Sequence, residues 1–225
     1  NGDADGDGLY ETIYAYGGRS FSIWDENGKL VFDSGNDLEM IVRERLPNNY
    51  HASNTVNAGD NRSDDKGTEP EGLTIGKIGD KIYAFIGLER VGGVVVYDIS
   101  QPDAPVFLDY VNNRDFAYAP YVGDDDDNDV NATTAPLSKD LGPEGLVFVS
   151  GMDSPTGSPL LIVANEVSGT TTVYQMQGNF PLHPVSDLIV RSGTDALHLQ
   201  WKDTNNQELG YYVYRKANDE AVFSK

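Results

Sequence analysis

The chain has no cysteine, which removes disulfides, thiolate zinc sites and haem attachment from consideration. It has no apolar run approaching the ~18 residues that a membrane span requires. Basic side chains are scarce: 16 Lys and Arg stand against 36 Asp and Glu, for a formal charge of −20. Nucleic-acid binders neutralise phosphates with a surplus of Lys and Arg, so no nucleic-acid partner is expected. The carboxylate surplus suits divalent cations or a strongly solvated surface. Neither a Gly-x-Ser-x-Gly elbow nor a His-Glu-x-x-His zinc helix occurs. The first residue is Asn1 and no signal peptide is present, so the chain is expected to be a piece of a longer precursor.

A sustained 3.6-residue apolar period is also hard to find. The best helical stretch is a turn or two at residues 38–45. What is there instead is strand signal. Residues 13–16, 20–24 and 29–32 are short runs rich in aromatic and β-branched side chains. Gly17-Gly18 and Glu26-Asn27-Gly28 separate them, and Asn-Gly between two such runs predicts a hairpin.

An internal repeat organises the middle of the chain. Pro70-Glu71-Gly72-Leu73 opens one copy, followed by runs at 81–90 and 92–99. Pro143-Glu144-Gly145-Leu146 opens the other, followed by runs at 159–166 and 168–176. Each copy predicts three strands in the same order, and a fourth follows the first copy at 105–110. Four antiparallel strands per repeat is the unit of a propeller blade. Residues 9–33 read as a degenerate further blade. The expected fold is therefore all-β: the C-terminal portion of a β-propeller, about three blades, over residues 1–178. Three blades do not close a ring, so other parts of the same precursor are expected to complete it. Over residues 179–225, Pro184, Trp201 and Tyr211-Tyr212-Val213-Tyr214-Arg215 resemble the start of a fibronectin type III domain, expected as a partial β-sandwich. Two long polar loops, at 48–68 and 118–139, interrupt the blades.

The sharpest chemical signal is Asp3-Ala4-Asp5-Gly6-Asp7-Gly8-Leu9-Tyr10-Glu11. Asp3, Asp5 and Asp7 put carboxylates at alternate positions, Gly6 and Gly8 permit a sharp turn, Leu9 offers a carbonyl, and Glu11 a carboxylate at the ninth position. Calcium takes six to eight oxygen ligands of this kind. No helix obviously follows, which points away from an EF-hand and towards the strand-linking loops of integrin-type propellers, with calcium in a structural role. Glu71 and Glu144 open equivalent blades and are candidates for a metal in the channel. An architectural origin for the repetition stands beside that reading. Glu89 and Glu166 repeat in the same way. Arg90 and Arg114 are candidates for gripping an anion. The run at 124–129 reads first as a solvated acidic loop and second as a loose calcium site. His51 reads as a polar loop residue before a general acid/base. His183 and His198 read as structural, and Asn61 and Asn131 fit the short glycosylation pattern.

The wording of residues 82–98, 110–116, 141–146 and 164–174 resembles the choice-of-anchor I family, over roughly residues 3–177. That resemblance implies a seven-bladed propeller, export to the cell surface or beyond, and attachment through varied C-terminal modules. The family includes secreted bacterial proteins labelled alkaline phosphatase-like. It is also similar to mesenchyme-specific cell-surface glycoproteins of biomineralising animals. Calcium- and iron-dependent propeller phosphatases use channel Glu carboxylates, which Glu71 and Glu144 can imitate. They also hold iron with a cysteine, and this chain has none, so no catalytic residue carries over. Two functions are expected side by side: a calcium-binding extracellular propeller in adhesion, matrix or mineral association, and a metal-dependent phosphoesterase.

Overall fold

Alternation along two strands decides how the molecule stacks. In β4 (Lys81–Leu88), Ala84, Ile86 and Leu88 point to one face and Phe85 to the other, and all are buried. In β5 (Val94–Asp98), Val95 and Tyr97 join the first face and Val94 and Val96 the second. A strand that is apolar on both faces must be covered on both. β4 and β5 are the central strands of a four-stranded antiparallel sheet with β3 (Pro70–Ile78) and β6 (Val106–Val111) at its edges, in sequence order.

The computed structural model describes residues 2–13, 16–122, 129–176, 186–192 and 197–202. Within them the fold is all-β, built from several small antiparallel sheets, and no closed ring forms. One face of the four-stranded sheet is covered by the hairpin β1 (Ser22–Trp24) and β2 (Leu30–Asp33) together with α1 (Asp37–Arg45). Phe21, Leu38 and Val42 pack there against Ala84, Ile86, Val95 and Tyr97. Leu38 and Val42 are four apart, so one helix face supplies both. Asp37 and Glu39 in the first turn and Arg43 and Arg45 in the last complement the helix dipole. The other face is covered by a three-stranded sheet, β9 (Pro143–Val149), β10 (Leu160–Asn165) and β11 (Thr170–Gln175), in the order β11-β10-β9. Leu161, Val163, Leu146, Phe148 and Tyr174 pack there against Phe85, Val94 and Val96, and the Phe85 and Phe148 rings stack at 5.9 Å.

The edge strands β3 and β9 meet because β3 is thin where they cross. A Cβ added at Gly72 would lie 2.5 Å from Leu146 Cδ1 and would collide with the Glu144 carbonyl. One at Gly76 would lie 2.6 Å from Phe148 Cε2. The two repeat copies also share their turns. Glu89 N–H donates to the Glu69 carbonyl at 2.9 Å, as Glu166 N–H donates to Gly142 at 2.8 Å. Gly92 N–H donates to Leu88, as Gly169 N–H donates to Asn165, both at 2.9 Å.

The expected helix at 38–45 and the Asn27-Gly28 hairpin are both present. The first unit differs from expectation. Among the described residues of 9–21 none lies in a strand, and Ile13 is 90% exposed. Two strands and a helix do the covering that a blade was expected to do. Residues 14 and 15 of the strand expected at 13–16 lie outside the described residues. The loop at 48–68 is packed: His51, Ala52, Ser53, Asn54 and Thr68 are buried. The second loop holds the two-residue strands β7 (Tyr121–Val122) and β8 (Asp129–Val130) and a short 3-10 turn at Ala135–Ser138. Residues 124–128 of the acidic run lie outside the described residues. Beyond the stack, β12 (Ser186–Ser192) pairs antiparallel with β13 (Leu197–Lys202), where the first two fibronectin-like strands were expected. The third, at 210–215, lies outside the described residues. No helix among the described residues is long and apolar enough to cross a membrane.

Candidate metal centre

The loop at 3–11 folds around its own carboxylates. Gly6 N–H donates to Asp3 Oδ1 at 2.7 Å and Gly8 N–H to Asp3 Oδ2 at 3.1 Å. Asp7 N–H donates to Asp5 Oδ1 at 3.2 Å and Leu9 N–H to Asp7 Oδ1 at 2.8 Å. Glu11 reaches back, its Oε2 accepting from Ala4 N–H at 2.8 Å. Gly6 and Gly8 sit at φ of 77° and 89°, a backbone region costly for side chains with a Cβ. The loop closes where Thr12 N–H meets the Gly2 carbonyl at 3.3 Å. As a result Asp3, Asp5, Asp7 and Glu11 bring one carboxylate oxygen each within 4.8 Å of one another. Four like charges at that spacing repel, and a hard divalent cation ligated by their oxygens would offset that repulsion. The donor set is all oxygen, with no sulfur or imidazole, as calcium prefers.

The repeated glutamates form a second acidic group at the crossing of β3 and β9. Glu71 and Glu144 are exposed at the starts of β3 and β9, and Glu89 is buried at the end of β4. The Glu89 carboxyl is pushed up to about 7: burial is the largest cause, Arg90 pulls the other way, and Glu69 together with a hydrogen bond and charge from Glu71 adds to the rise. Glu144 is raised as well, by a hydrogen bond shared with Glu166, by the Glu166 charge, and by Glu71 across the sheet boundary. Two carboxyl pairs at equivalent repeat positions, Glu71 with Glu89 and Glu144 with Glu166, therefore influence one another.

Arg90 is already held by carboxylates: its Nε lies 2.6 Å from Glu69 Oε2 and one terminal nitrogen 3.3 Å from Glu89 Oε1. Arg114 is buried, donating to the Arg90 carbonyl at 3.1 Å and Asn57 Oδ1 at 2.7 Å, with its guanidinium 4.5 Å from the Phe116 ring centre. Burial lowers its pKa to about 10. Both arginines staple chain segments together in this arrangement. His51 is buried in the left-handed region, its Nδ1 2.7 Å from Ser63 Oγ. Burial lowers its pKa, against the pull of Glu39. Asn61 Oδ1 is buried and Asn131 Oδ1 accepts from the Thr133 and Thr134 amides.

Two functional-looking residues escape a sequence reading. Glu69, at φ 55°, gathers Lys66 and Arg90 around its carboxylate. The residue before Pro-Glu-Gly is left-handed in both copies, Gly142 being at 72°, and only the alignment of the copies flags the position. Asp140 accepts from Thr170, Thr172 and Asn113. Burial works against its ionisation, yet those three hydrogen bonds prevail and its pKa is lowered. Nothing local in the sequence marks it, because its partners are some 30 residues away.

Residues 1–102 match the family model of the choice-of-anchor I domain. That match takes in the acidic loop, the β1–β2 hairpin, α1 and the first three strands of the four-stranded sheet. Gigasin-3a of Magallana gigas is 28% identical over 178 residues, covering 76% of this chain and 60% of that protein. The chain thus spans less than two thirds of the length of this curated relative. No solved structure gives a significant match. These similarities point to an extracellular, surface-associated protein.

Proposed function

We propose that this chain is part of a secreted, calcium-dependent β-propeller that acts at a cell surface or in a matrix, in adhesion or mineral association. The observation that carries the proposal is the convergence of Asp3, Asp5, Asp7 and Glu11 in one loop whose backbone amides donate to those carboxylates. Calcium there would have a structural role, fixing the lead-in to the first covering unit, with the Leu9 carbonyl as a further ligand. The face-to-face stacking of consecutive sheets, with repeated turns, supports reading residues 1–178 as propeller blades; the reading of 179–225 as a following fibronectin-like module rests on the sequence resemblance alone. Thermal unfolding with calcium and with excess chelator tests it. A cation that binds only the folded state stabilises it by mass action, ~2.7 kcal/mol at a hundredfold excess over Kd. Calcium should raise Tm by roughly 5–10 °C in a chain of this size. An unchanged Tm would remove the calcium site from the proposal.

One observation favours a second function. Glu71 acts on Glu89 in its own sheet and on Glu144 in the next, and Glu144 shares a hydrogen bond with Glu166, which gathers four carboxyls in one neighbourhood, although among the described residues only the loop at 3–11 brings its carboxylate oxygens within ligating distance of one another. A divalent ion held there would polarise a phosphate ester, giving an alkaline-phosphatase-like phosphoesterase. Hydrolysis of a chromogenic phosphomonoester by the full-length protein, with calcium and other divalent ions across a pH range, tests it. Activity lost in the E71Q/E144Q variant supports it. No turnover, or turnover that survives the substitutions, rejects it.

A further inference from the structure

The loop at 48–68 lies against α1, with Arg43 over the Tyr50 ring and Glu39 beside His51, and its construction favours opening. Among the described residues four non-glycine positions have positive φ, and three lie in or beside this loop: His51 at 51°, Asp60 at 65° and Glu69 at 55°. Such backbone is strained and persists only where its surroundings hold it. Six buried side-chain atoms among the described residues make no hydrogen bond. Four of them are here: His51 Nε2, Asn61 Oδ1, Arg62 Nε and Thr68 Oγ1. Each regains a partner when water reaches it. A segment built this way opens at lower cost than the sheets beside it.

A clamp holds the loop closed. Arg19, ahead of β1, donates to the Ser63 and Asp65 carbonyls at 2.8 and 3.0 Å and pairs with Glu39 Oε1 of α1 at 2.9 Å. His51 sits inside this clamp, its Nδ1 2.7 Å from Ser63 Oγ and its Nε2 3.8 Å from the same Glu39 oxygen. Further along the loop, Asn57 Oδ1 accepts from Arg114 at 2.7 Å, and Asn57 Nδ2 donates to the Phe116 and Tyr118 carbonyls, both at 2.9 Å. The charged groups that face His51 are Arg19, Glu39 and Arg43 of α1, and Asp60 of the loop itself. A proton on His51 puts a charge into a buried site where the Glu39 carboxylate is already shared with Arg19. Burial is the largest cause that holds the His51 pKa down; Arg19 and Arg43 act with it, against Glu39 and Asp60.

We propose that the loop at 48–68 is an acid-operated latch: protonation of His51 releases it from α1 while the stacked sheets stay folded. The open loop leaves the imidazole in water, where it titrates near its ordinary 6.5. The closed loop binds that proton more weakly, so closure is favoured above this pH and is lost progressively below it. Release carries Asn57 off the Arg114 guanidinium, whose Nε makes no hydrogen bond in the closed state. Acid thereby uncovers a cation that the loop hides. The latch rests on neither metal reading.

Amide hydrogen exchange of the whole chain in calcium, read by mass spectrometry at pH 7 and pH 5 and corrected for the intrinsic pH dependence of exchange, tests the latch. Protection of residues 50–66 should fall by about tenfold at pH 5, while β4, at the centre of the stack, keeps its protection. The His51→Gln chain should show no such fall. Equal protection of the loop at both pH values overturns the proposal. So does a loss shared by β4, which is global unfolding, or the same loss in His51→Gln. A second readout needs no variant. The His51 imidazole, followed by NMR in the parent chain, should take up its proton together with the loss of loop protection. A ring that becomes protonated while residues 50–66 stay protected overturns the proposal as well.

Discussion

At the scale of the residue, two buried groups set opposite dependences on pH. Glu89, raised to about 7, holds a proton in the folded chain that it loses in the unfolded one between the ordinary carboxylate range and neutrality. Its contribution is fully present below about 4.5 and is lost as pH rises through 7. Glu89→Gln should therefore raise Tm at pH 8, on the order of 2–4 °C, and change it little at pH 4.5; a larger gain at the acid end would contradict this. His51 acts the other way. Its pKa is lowered by burial, so the unfolded chain takes up the proton first and stability falls as pH drops below 6.5. A His51→Gln chain that keeps its packing should lose this acid-side decline, measured as Tm between pH 7 and 5. Neither shift is legible in the sequence, where His51 is one polar residue in a polar loop. Burial of that loop is a tertiary fact.

At the scale of the element, glycine decides how closely the sheets approach. Gly72→Ala places a methyl group against the Glu144 carbonyl, and a backbone atom cannot step aside as a side-chain tip can. We expect a loss of about 1–3 kcal/mol, read as a lower urea midpoint. Phe85→Ala, which empties the centre of the same interface, should cost about 3–5 kcal/mol. The elements of the repeat were legible because period-two alternation and the Pro-Glu-Gly and Gly-containing turns are local features. The covering role of α1 and the β1–β2 hairpin was not. A strand was expected at residues 13–16, yet Ile13 is exposed, and burial of Leu38 and Val42 beneath the hairpin depends on contacts with Tyr97 and Val95. Those contacts cross about 55 residues of chain.

At the scale of the whole molecule, three layers share one direction of stacking. The face of the three-stranded sheet that bears Leu146 and Phe148 packs on the face of the four-stranded sheet that bears Gly72 and Gly76. Alignment of the repeats makes those opposite faces of one unit, so the contact is head-to-tail. A head-to-tail contact propagates until it closes a ring or is capped. That supports the propeller proposal and accounts for the exposure of Val147 and Val173 on the outer face. The acidic loop was the most legible cluster, because its carboxylates lie within nine residues and their convergence follows from alternate spacing and two glycines. The glutamate group was half legible: repetition pointed to Glu71 and Glu144, but their coupling to Glu89 and Glu166 required the fold. The central claim is that the loop binds calcium, and calcium titration by isothermal calorimetry tests it most directly. One site per chain is expected from this loop, with affinity reduced at least about tenfold in the D5N/D7N variant, each lost carboxylate removing a ligand charge. No binding heat, or equal affinity in parent and variant, would contradict it.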